Sequence, residues 1–463
     1  MSAKHPINAD VPVNGEAAAP GETKPRPEQA KPETAAPKAR ASDPTPKPKP
    51  VRKRRARRPV PGALKAILAL VVVAVIFIVA AVLGGSGGAK HEPGSAAPAP
   101  APAQPGASTD TAPSQSTEQL GYPAFATGNT TRVGGADPAA NAAGVALAAF
   151  PSTEPSQQPA AVTLVSEDDW AGAIAASVLM AAPVRAPLLV SAVDGIPEVS
   201  GEALDALDPQ GSKDTGGAAI FAIGDVATPD GTEADVVKAG SPAATAATIA
   251  SLRDRLFGGP PDHFVLAPAN QPEFAMPAAA WAARSGDPVL FAEGDELLAP
   301  TVAALKKHKD VPVYVLGPSS AISSKAIRAV GKLGNEVHRV SGKDPVANAI
   351  AFARYADGGF GWNVNDPGHG FVLARSASPL DAAAAAPLSA SGTWGPLLLT
   401  DSASALPAPL REYFLDVKPG YTTNPTRAFY NHVWVIGDQG AIDVNQQAEV
   451  NEVAELAKIG GGE

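Results

Sequence analysis

The feature that most constrains the fold of this chain is a stretch of sequence that recurs three times. The three copies read VGGADPAANAA, VKAGSPAATAA and VSGKDPVANAI, and they begin at Val133, Val237 and Val340. The copies therefore begin 104 and 103 residues apart. A period of this length is too long for a solenoid and suits a small domain that is present three times. The chain is divided accordingly into repeat units at 121–230, 231–335 and 336–463.

Each copy continues with the same order of segments. Runs such as AVTLVS, HFVLAP and GFVLAR are apolar on both faces, which is typical of buried parallel strands. Ala-rich helical stretches separate them, and the order strand, helix, strand, helix, strand predicts an α/β fold with doubly wound parallel sheets. Gly224, Gly317 and Gly437 are expected to form the turn after a strand. Asp137 and Asp344 are expected to cap helices that open with proline.

The chain ahead of the repeats has a different composition. Residues 1–60 are rich in Pro, Ala and Lys and end in the basic cluster RKRRARR. They predict a disordered cytoplasmic tail, because they cannot bury enough apolar surface to offset the entropy of ordering. Residues 63–84 contain an uncharged apolar run that is long enough to cross a bilayer as one helix. Residues 85–120 form a linker of Pro, Ala, Gly and Ser.

The distribution of charge sets the expected orientation in a membrane. Up to Lys65 the chain carries 15 Lys and Arg against 6 Asp and Glu, and the remainder carries 22 against 40. A basic cluster next to an apolar helix favours the cytoplasmic side, so we expect a single-pass protein of the cell membrane with an extracellular C-terminal region. A cleaved signal peptide is the competing interpretation, which the long preceding tail disfavours. The same cluster gives little support to nucleic-acid binding.

At the repeated blocks the chain resembles the cell wall-binding repeat 2 family. Arg132 and Asp137 match the family's opening motif in the first copy, and Arg339 and Asp344 match it in the third. The second copy has Lys238 and Ser241 instead. The stretches DDWAGAIAAS with APLLVS, and PLDAAAAAP with GPLLLT, are similar to the middle of the family's repeat. The resemblance implies three Rossmann-like units in a compact pseudo-trimer, and an envelope protein that binds polymers of the cell wall.

Candidate ligand-binding residues follow from the expected sheets. Ligands of open α/β sheets bind beyond the carboxyl ends of the strands. Asp168, Asp169 and Trp170 follow the first strand of the first unit, and Asp381 lies in the corresponding segment of the third. With Trp394, these residues could bind a sugar by hydrogen bonding and stacking. Alternatively, an aspartate caps the next helix and Trp170 packs between units.

Arg132 and Arg339 complete the set of candidates. Each could bind a phosphate or carboxylate of a ligand, or pair with the aspartate that follows it in the opening motif.

The sequence gives little support to catalysis. It lacks the motifs H-E-x-x-H, Walker A and G-x-G-x-x-G, and its seven histidines show no metal-ligand spacing. The absence of cysteine excludes disulfides and thiolate metal sites. We therefore expect no enzyme activity, cofactor or metal. Two functions remain: binding of a cell-wall polymer, either a glycan or a secondary wall polymer, or a scaffold that binds another envelope protein.

Overall fold

The computed structural model describes residues 126–238, 240–392 and 394–459. The predicted tail, the predicted membrane span and the linker lie outside these residues. Within the described ranges, no helix combines the length and the apolar character that crossing a bilayer requires.

The described residues form an α/β structure with three parallel sheets. Its strands in chain order are β1 (Ala126–Thr127), β2 (Thr130–Val133), β3 (Val162–Val165), β4 (Leu188–Val190), β5 (Ile220–Ile223), β6 (Ala234–Val237), β7 (Phe264–Pro268), β8 (Val289–Ala292), β9 (Val313–Leu316), β10 (Val337–Val340), β11 (Gly370–Arg375), β12 (Leu397–Thr400), β13 (Gly420–Tyr421), β14 (His432–Ile436) and β15 (Ala457–Lys458).

Helices alternate with most of these strands, as the sequence predicts. They are α1 (Pro138–Ala149), α2 (Trp170–Ala176), α3 (Glu198–Leu207), α4 (Pro242–Phe257), α5 (Pro272–Ser285), α6 (Ala299–Lys307), α7 (Ser324–Gly331), α8 (Pro345–Arg354), α9 (Pro379–Ala384), α10 (Ala386–Ala390), α11 (Ala408–Asp416) and α12 (Val444–Ala454). Short 3-10 turns lie at Pro155–Gln157, Ser177–Met180 and Pro425–Arg427.

The three parallel sheets share one strand order. The first sheet is β6-β5-β3-β4, the second is β10-β9-β7-β8 and the third is β2-β14-β11-β12. Strand β1 joins the third sheet antiparallel to β2, and β13 pairs with β15 separately. In each sheet the chain passes from one inner strand (β3, β7 or β11) to the adjacent edge strand (β4, β8 or β12). It then crosses over to the other inner strand (β5, β9 or β14). The α/β fold with repeated parallel sheets that the sequence predicts is therefore confirmed.

In each sheet, one of the two outer parallel strands comes from the start of another sequence repeat. Strand β6 opens the second repeat but pairs with β5 of the first, and β10 opens the third but pairs with β9 of the second. Strand β2 opens the first repeat and pairs with β14 near the end of the chain. Strand β2, the first parallel strand among the described residues, therefore completes the last sheet. Three residues hold the same place in these edge strands: Arg132, Val236 and Arg339.

Corresponding helices of the three repeats meet in the interior. Helices α2, α5 and α9, which follow the inner strands β3, β7 and β11, contact one another in pairs. Most of their residues are buried, and alanine predominates among them. Small side chains let helices approach each other and the sheets closely, which accounts for the alanine-rich composition of these segments.

The helix caps and turns predicted from the sequence are confirmed. The Asp137 carboxylate accepts a hydrogen bond from the Ala140 amide at 2.9 Å, and the Asp344 carboxylate accepts one from Ala347 at 2.7 Å. The glycine after β14, Gly437, has a φ of +92°, which an L side chain rarely adopts. The strand-to-helix connections are thus set by local sequence.

Candidate functional site

The carboxyl end of the third sheet is built around Arg132, which is only 1% exposed. Its guanidinium donates to the carbonyl oxygens of Gly437 (2.9 Å), Asp438 (2.6 Å) and Ile442 (2.6 Å). Its Nε and Nη2 also donate to Oε1 of Gln447, at 3.1 and 2.7 Å. These bonds join the first repeat to the turn after β14. The guanidinium thus donates to acceptors inside the protein. Asp137, one of the partners considered for it, caps α1 instead.

Arg339 has the same position in the second sheet. Its guanidinium donates to the carbonyl oxygens of Gly317 and Ile322, in the turn after β9. Asp344, which the sequence offered as its partner, caps α8. In the first sheet the corresponding residue is Val236, which is 52% exposed. An arginine therefore occupies this position at two of the three sheet ends and is replaced by valine at the other.

Asp381 lies in the first turn of α9. It is 4% exposed, and its Oδ1 accepts a hydrogen bond from Nδ2 of Asn141 at 3.0 Å. The Oδ1 of Asn141 accepts a hydrogen bond from the Gly135 amide at 2.8 Å. Burial raises the pKa of Asp381 to about 6, although the bond from Asn141 acts in the opposite direction. This carboxylate links the first and third repeats.

The acidic cluster of the first repeat divides between a helix cap and the solvent. Asp169 accepts a hydrogen bond from the Gly172 amide at 2.8 Å and caps α2, whereas Asp168 is exposed. Trp170 is half-buried, and its ring meets that of Phe291 in the second sheet edge-on at 5.8 Å. Asp169 is therefore a helix cap and Trp170 a packing contact between units, as in the alternative interpretation of the sequence.

Trp394 lies apart from the other candidates, in a cleft of about 320 Å³ at the opposite ends of the sheets. The walls come from residues just before β7 and β8 in the second repeat and just before β11 and β12 in the third. We call this site the aromatic cleft. Its lining residues are Asp262, His263, Trp281, Arg284, Ser285, Asp287, Gly359, Gly361, Trp362 and Trp394.

Three tryptophans and one arginine determine the shape of the aromatic cleft. The Arg284 guanidinium carbon lies 4.4 Å from the centre of the Trp394 ring, within the range of a cation–π contact. The ring centres of Trp394 and Trp362 are 6.1 Å apart, and Trp362 meets Trp281 edge-on at 5.4 Å. Trp281 and Trp362 are buried, whereas Trp394 is half-buried and Arg284 is exposed. The cleft therefore has an apolar floor and a polar rim.

A buried carboxylate fixes the floor of the aromatic cleft. Oδ2 of Asp287, which is 2% exposed, accepts a hydrogen bond from Nε1 of Trp281 at 2.8 Å. The same oxygen lies 3.2 Å from Nδ1 of His263, and Oδ1 accepts from the His263 amide at 3.1 Å. The hydrogen bond to Asp287 raises the pKa of His263, against the opposing effect of burial. Asp287 thus orients an indole and an imidazole at once.

A glycine-rich loop brings Trp362 into the aromatic cleft. Gly361 has a φ of +99°, and a Cβ there would lie 2.3 Å from the Tyr355 carbonyl oxygen. Only glycine permits the chain to fold back so closely, between Phe360 and Trp362. The sequence prediction included Trp394 but not Trp362 or Arg284. The available signal was the aromatic residue in the glycine-rich run GGFGWN. Ordering glycine costs more conformational entropy than ordering other residues, so an ordered run of this kind indicates a specific role.

The aromatic cleft has the chemistry of a saccharide site. Sugar rings present apolar C–H faces that pack on tryptophan, and hydroxyl groups that hydrogen-bond to charged side chains at the rim. Asp262 and Arg284 are both exposed at this rim. Within the described ranges, the guanidinium of Arg284 donates no hydrogen bond to another protein group and contacts the Trp394 ring. Among the same residues, the buried Nε1 of Trp362 has no acceptor. Of the residues predicted for ligand binding, only Trp394 lies here.

Comparison with known proteins gives a family match for the second and third repeats. The sequence profile of cell wall binding domain 2 (CWB2) matches residues 238–327 and 339–447. Cwp8 from Clostridium difficile has a similar fold, with a TM-score of 0.53 and 20% identity over 70% of this chain and 52% of that one. Cwp6 from Clostridium difficile gives a TM-score of 0.52 and 18% identity over 70% and 47%.

The present chain therefore spans about half the length of these two proteins, and the likeness is one of fold. No curated protein matches it in sequence. The two matched segments carry the walls of the aromatic cleft, one segment on each side. Residues 238–327 and 339–447 are therefore similar to cell wall binding domain 2, in agreement with the resemblance of the repeated motifs.

Proposed function

We propose that the three-repeat region binds a saccharide polymer of the bacterial cell wall, without catalysis, and that the aromatic cleft is a binding site for it. The observation that carries the proposal is the position of the cleft between the two segments that match the wall-binding family. Each segment supplies half of the site. Arg284 belongs to the first segment, and Trp362 and Trp394 belong to the second.

The geometry of the aromatic cleft supports a sugar unit as the occupant. A volume of about 320 Å³ is in the usual range for small-molecule sites. Trp394 offers a half-exposed ring for stacking, and Arg284 lies over the same ring with its hydrogen-bond donors free to reach a ligand. Asp287 locks Trp281 in place, so little entropy is lost when a ligand binds.

The proposal also includes a compact pseudo-trimer and a membrane anchor. The mutual contacts of α2, α5 and α9, with one sheet for each repeat, support the former arrangement. The apolar run within residues 63–84 supports a single-pass anchor, with the tail of residues 1–60 in the cytoplasm and the repeats outside. Protease digestion of intact cells tests this orientation. The repeats should be degraded and the tail should be protected.

An envelope scaffold is the alternative function, and one surface feature favours it. Phe429 is 71% exposed and Tyr430 is 51% exposed, next to each other in the segment before β14. Exposed neighbouring aromatic residues are typical of protein-binding surfaces. A scaffold would bind its partner through this pair and would not require the aromatic cleft.

Retention on isolated cell walls tests the proposed function. The full chain is sedimented with insoluble walls before and after removal of their secondary polymers, at several salt concentrations. We expect retention of the wild type, and a loss of about tenfold in affinity for Arg284→Ala and for Trp394→Ala.

Arg411→Ala is the control, because Arg411 is exposed on α11, outside the cleft. Thermal unfolding of each variant shows whether the fold is kept. Failure of the wild type to sediment with walls at any salt concentration would contradict the proposal and favour the scaffold.

A further inference from the structure

A second cleft, of about 290 Å³, lies at the amino end of the first sheet. Two loops form it. One runs between α1 and β3 and carries Phe150 and Gln157, and the other precedes β4 and carries Arg185. Nothing in the family match covers this cleft, because the profile begins at residue 238.

The second cleft uses the same two loops as the third repeat's half of the aromatic cleft. There, the loop between α8 and β11 carries Trp362, and the loop before β12 carries Trp394. Arg185 and Trp394 each stand three residues before the strand that follows them. Both clefts also place an arginine over an aromatic ring. The Arg185 guanidinium carbon lies 5.5 Å from the ring centre of Phe150.

The backbone holds Arg185 at the second cleft in an unfavourable conformation. Its φ is +54°, in the left-handed region that residues with a side chain rarely adopt. Hydrogen bonds from the Arg185 amide to Ala181 (3.1 Å) and from the Ala186 amide to Leu179 (2.9 Å) close the turn. Retained strain of this kind is concentrated at binding sites. Glycine would adopt this conformation without strain. The presence of arginine at this position therefore indicates a role for its side chain.

The charges of the two clefts differ. Asp262 and Asp287 line the aromatic cleft, whereas Arg185 is the charged residue among those lining the second. The polar groups beside it are the amides of Gln157 and Gln158 and the hydroxyl of Ser156. Oε1 of Gln157 accepts a hydrogen bond from the Thr153 amide at 3.1 Å, which leaves its NH₂ group to donate. The second cleft is therefore rich in donors.

We propose that this second cleft is a further saccharide subsite. It takes a sugar unit whose acceptor oxygens, from a hydroxyl, carboxylate or phosphate group, meet Arg185 and the glutamine amides. The inference rests on the proposed function, since the occupant is another unit of the same wall polymer. A polymer long enough to reach both clefts binds in two places at once. Its retention therefore exceeds that of a short fragment, because the second contact forms at a high effective concentration.

The test measures retention of the full chain on intact walls, and binding of soluble fragments released from those walls by a muramidase. We expect Arg185→Gly to weaken retention on intact walls about tenfold, with little change in the binding of short fragments at the aromatic cleft. Glycine is chosen because it fits the positive φ and preserves the turn. Gln157→Ala, at an exposed position, provides a second and smaller reduction.

Two comparisons separate the possible results. The double variant Arg185→Gly with Arg284→Ala should reduce retention further than either single variant, and Arg411→Ala should have no effect. If Arg284→Ala weakens retention but Arg185→Gly and Gln157→Ala match the wild type, the second subsite is refuted and the proposed function stands. If the wild type is not retained on walls, both fail.

Discussion

Two pairs of arginines at opposite ends of the parallel sheets make different contacts. At the carboxyl ends, Arg132 and Arg339 turn inward and donate to backbone carbonyls of the adjacent turn. At the amino ends, Arg185 and Arg284 are exposed and lie over aromatic rings that line clefts. Residue type alone therefore does not identify a ligand-binding arginine. What distinguishes a ligand-binding arginine is how many of its guanidinium N–H groups remain without an acceptor in the protein.

Under the proposed function, the arginines at the carboxyl ends stabilise the fold and those at the amino ends contact the ligand. Substitutions at the carboxyl ends should change the free energy of unfolding, and they test whether these residues have a structural role.

The largest effect is expected for Arg132→Met, which keeps the aliphatic volume but removes every donor. The carbonyl oxygens of Gly437 and Ile442 and the side chain of Gln447 would lose a charged partner in the interior. We expect the free energy of unfolding to fall by about 3–5 kcal/mol, measured by urea denaturation. Arg411→Met, on the exposed face of α11, should change it by about 0.5 kcal/mol or less. A loss below about 1 kcal/mol for Arg132→Met would contradict the structural role.

The next effect depends on pH and concerns Asp381. Its pKa is raised to about 6 in the folded protein. An acid whose pKa is raised by folding stabilises the native state while it is protonated, and this contribution is lost as the pH rises from about 4 through about 6. The expected loss is about 3 kcal/mol, because each tenfold change in a proton-binding constant corresponds to about 1.4 kcal/mol.

Urea denaturation of the wild type and Asp381→Asn between pH 4 and pH 7 measures this contribution. The variant should become more stable relative to the wild type as the pH rises, because asparagine can still accept the bond from Asn141 without a charge. A constant difference between the two proteins across this range would contradict the burial of an ionisable group at this position.

A smaller effect is expected for Arg339→Met. Arg339 is half-buried and donates to the carbonyl oxygens of Gly317 and Ile322, so water can replace part of what is lost. We expect a decrease of about 1–2 kcal/mol in the free energy of unfolding. A decrease equal to that of Arg132→Met would show that exposure does not distinguish the two arginines.

The smallest effect is expected for Val236→Arg, which places an arginine at the same position in the first sheet. Val236 is more than half exposed, so a longer side chain can extend into water. We expect the free energy of unfolding to change by about 0.5 kcal/mol or less, as is usual for a substitution at an exposed position. Stabilisation by more than about 1 kcal/mol would show that this turn also presents its carbonyls to an arginine.

The sequence predicted the local structure well, because that structure depends on nearby residues. The caps at Asp137 and Asp344 and the turn at Gly437 follow from side chains within a few positions. The exchange of edge strands between repeats had no comparable signal. Strand β2 pairs with β14 about 300 residues away, and no local pattern states that partner.

The candidate site was predicted less completely. General rules for open α/β sheets placed the ligand beyond the carboxyl ends of the strands, whereas both clefts described above lie at the amino ends. Trp394 was among the residues that the sequence predicted to bind a sugar. Arg284 and Trp362 were not, because their contact with Trp394 depends on the packing of the second repeat against the third.

The most direct test compares Arg284→Ala with Arg339→Met in the same preparation of cell walls, below the unfolding temperature of both variants. We predict that Arg284→Ala loses about tenfold in wall affinity and unfolds like the wild type, whereas Arg339→Met binds walls normally and unfolds more easily. The opposite pattern, with normal binding by Arg284→Ala and lost binding by a folded Arg339→Met, would place the ligand at the carboxyl ends and contradict the assignment of the aromatic cleft.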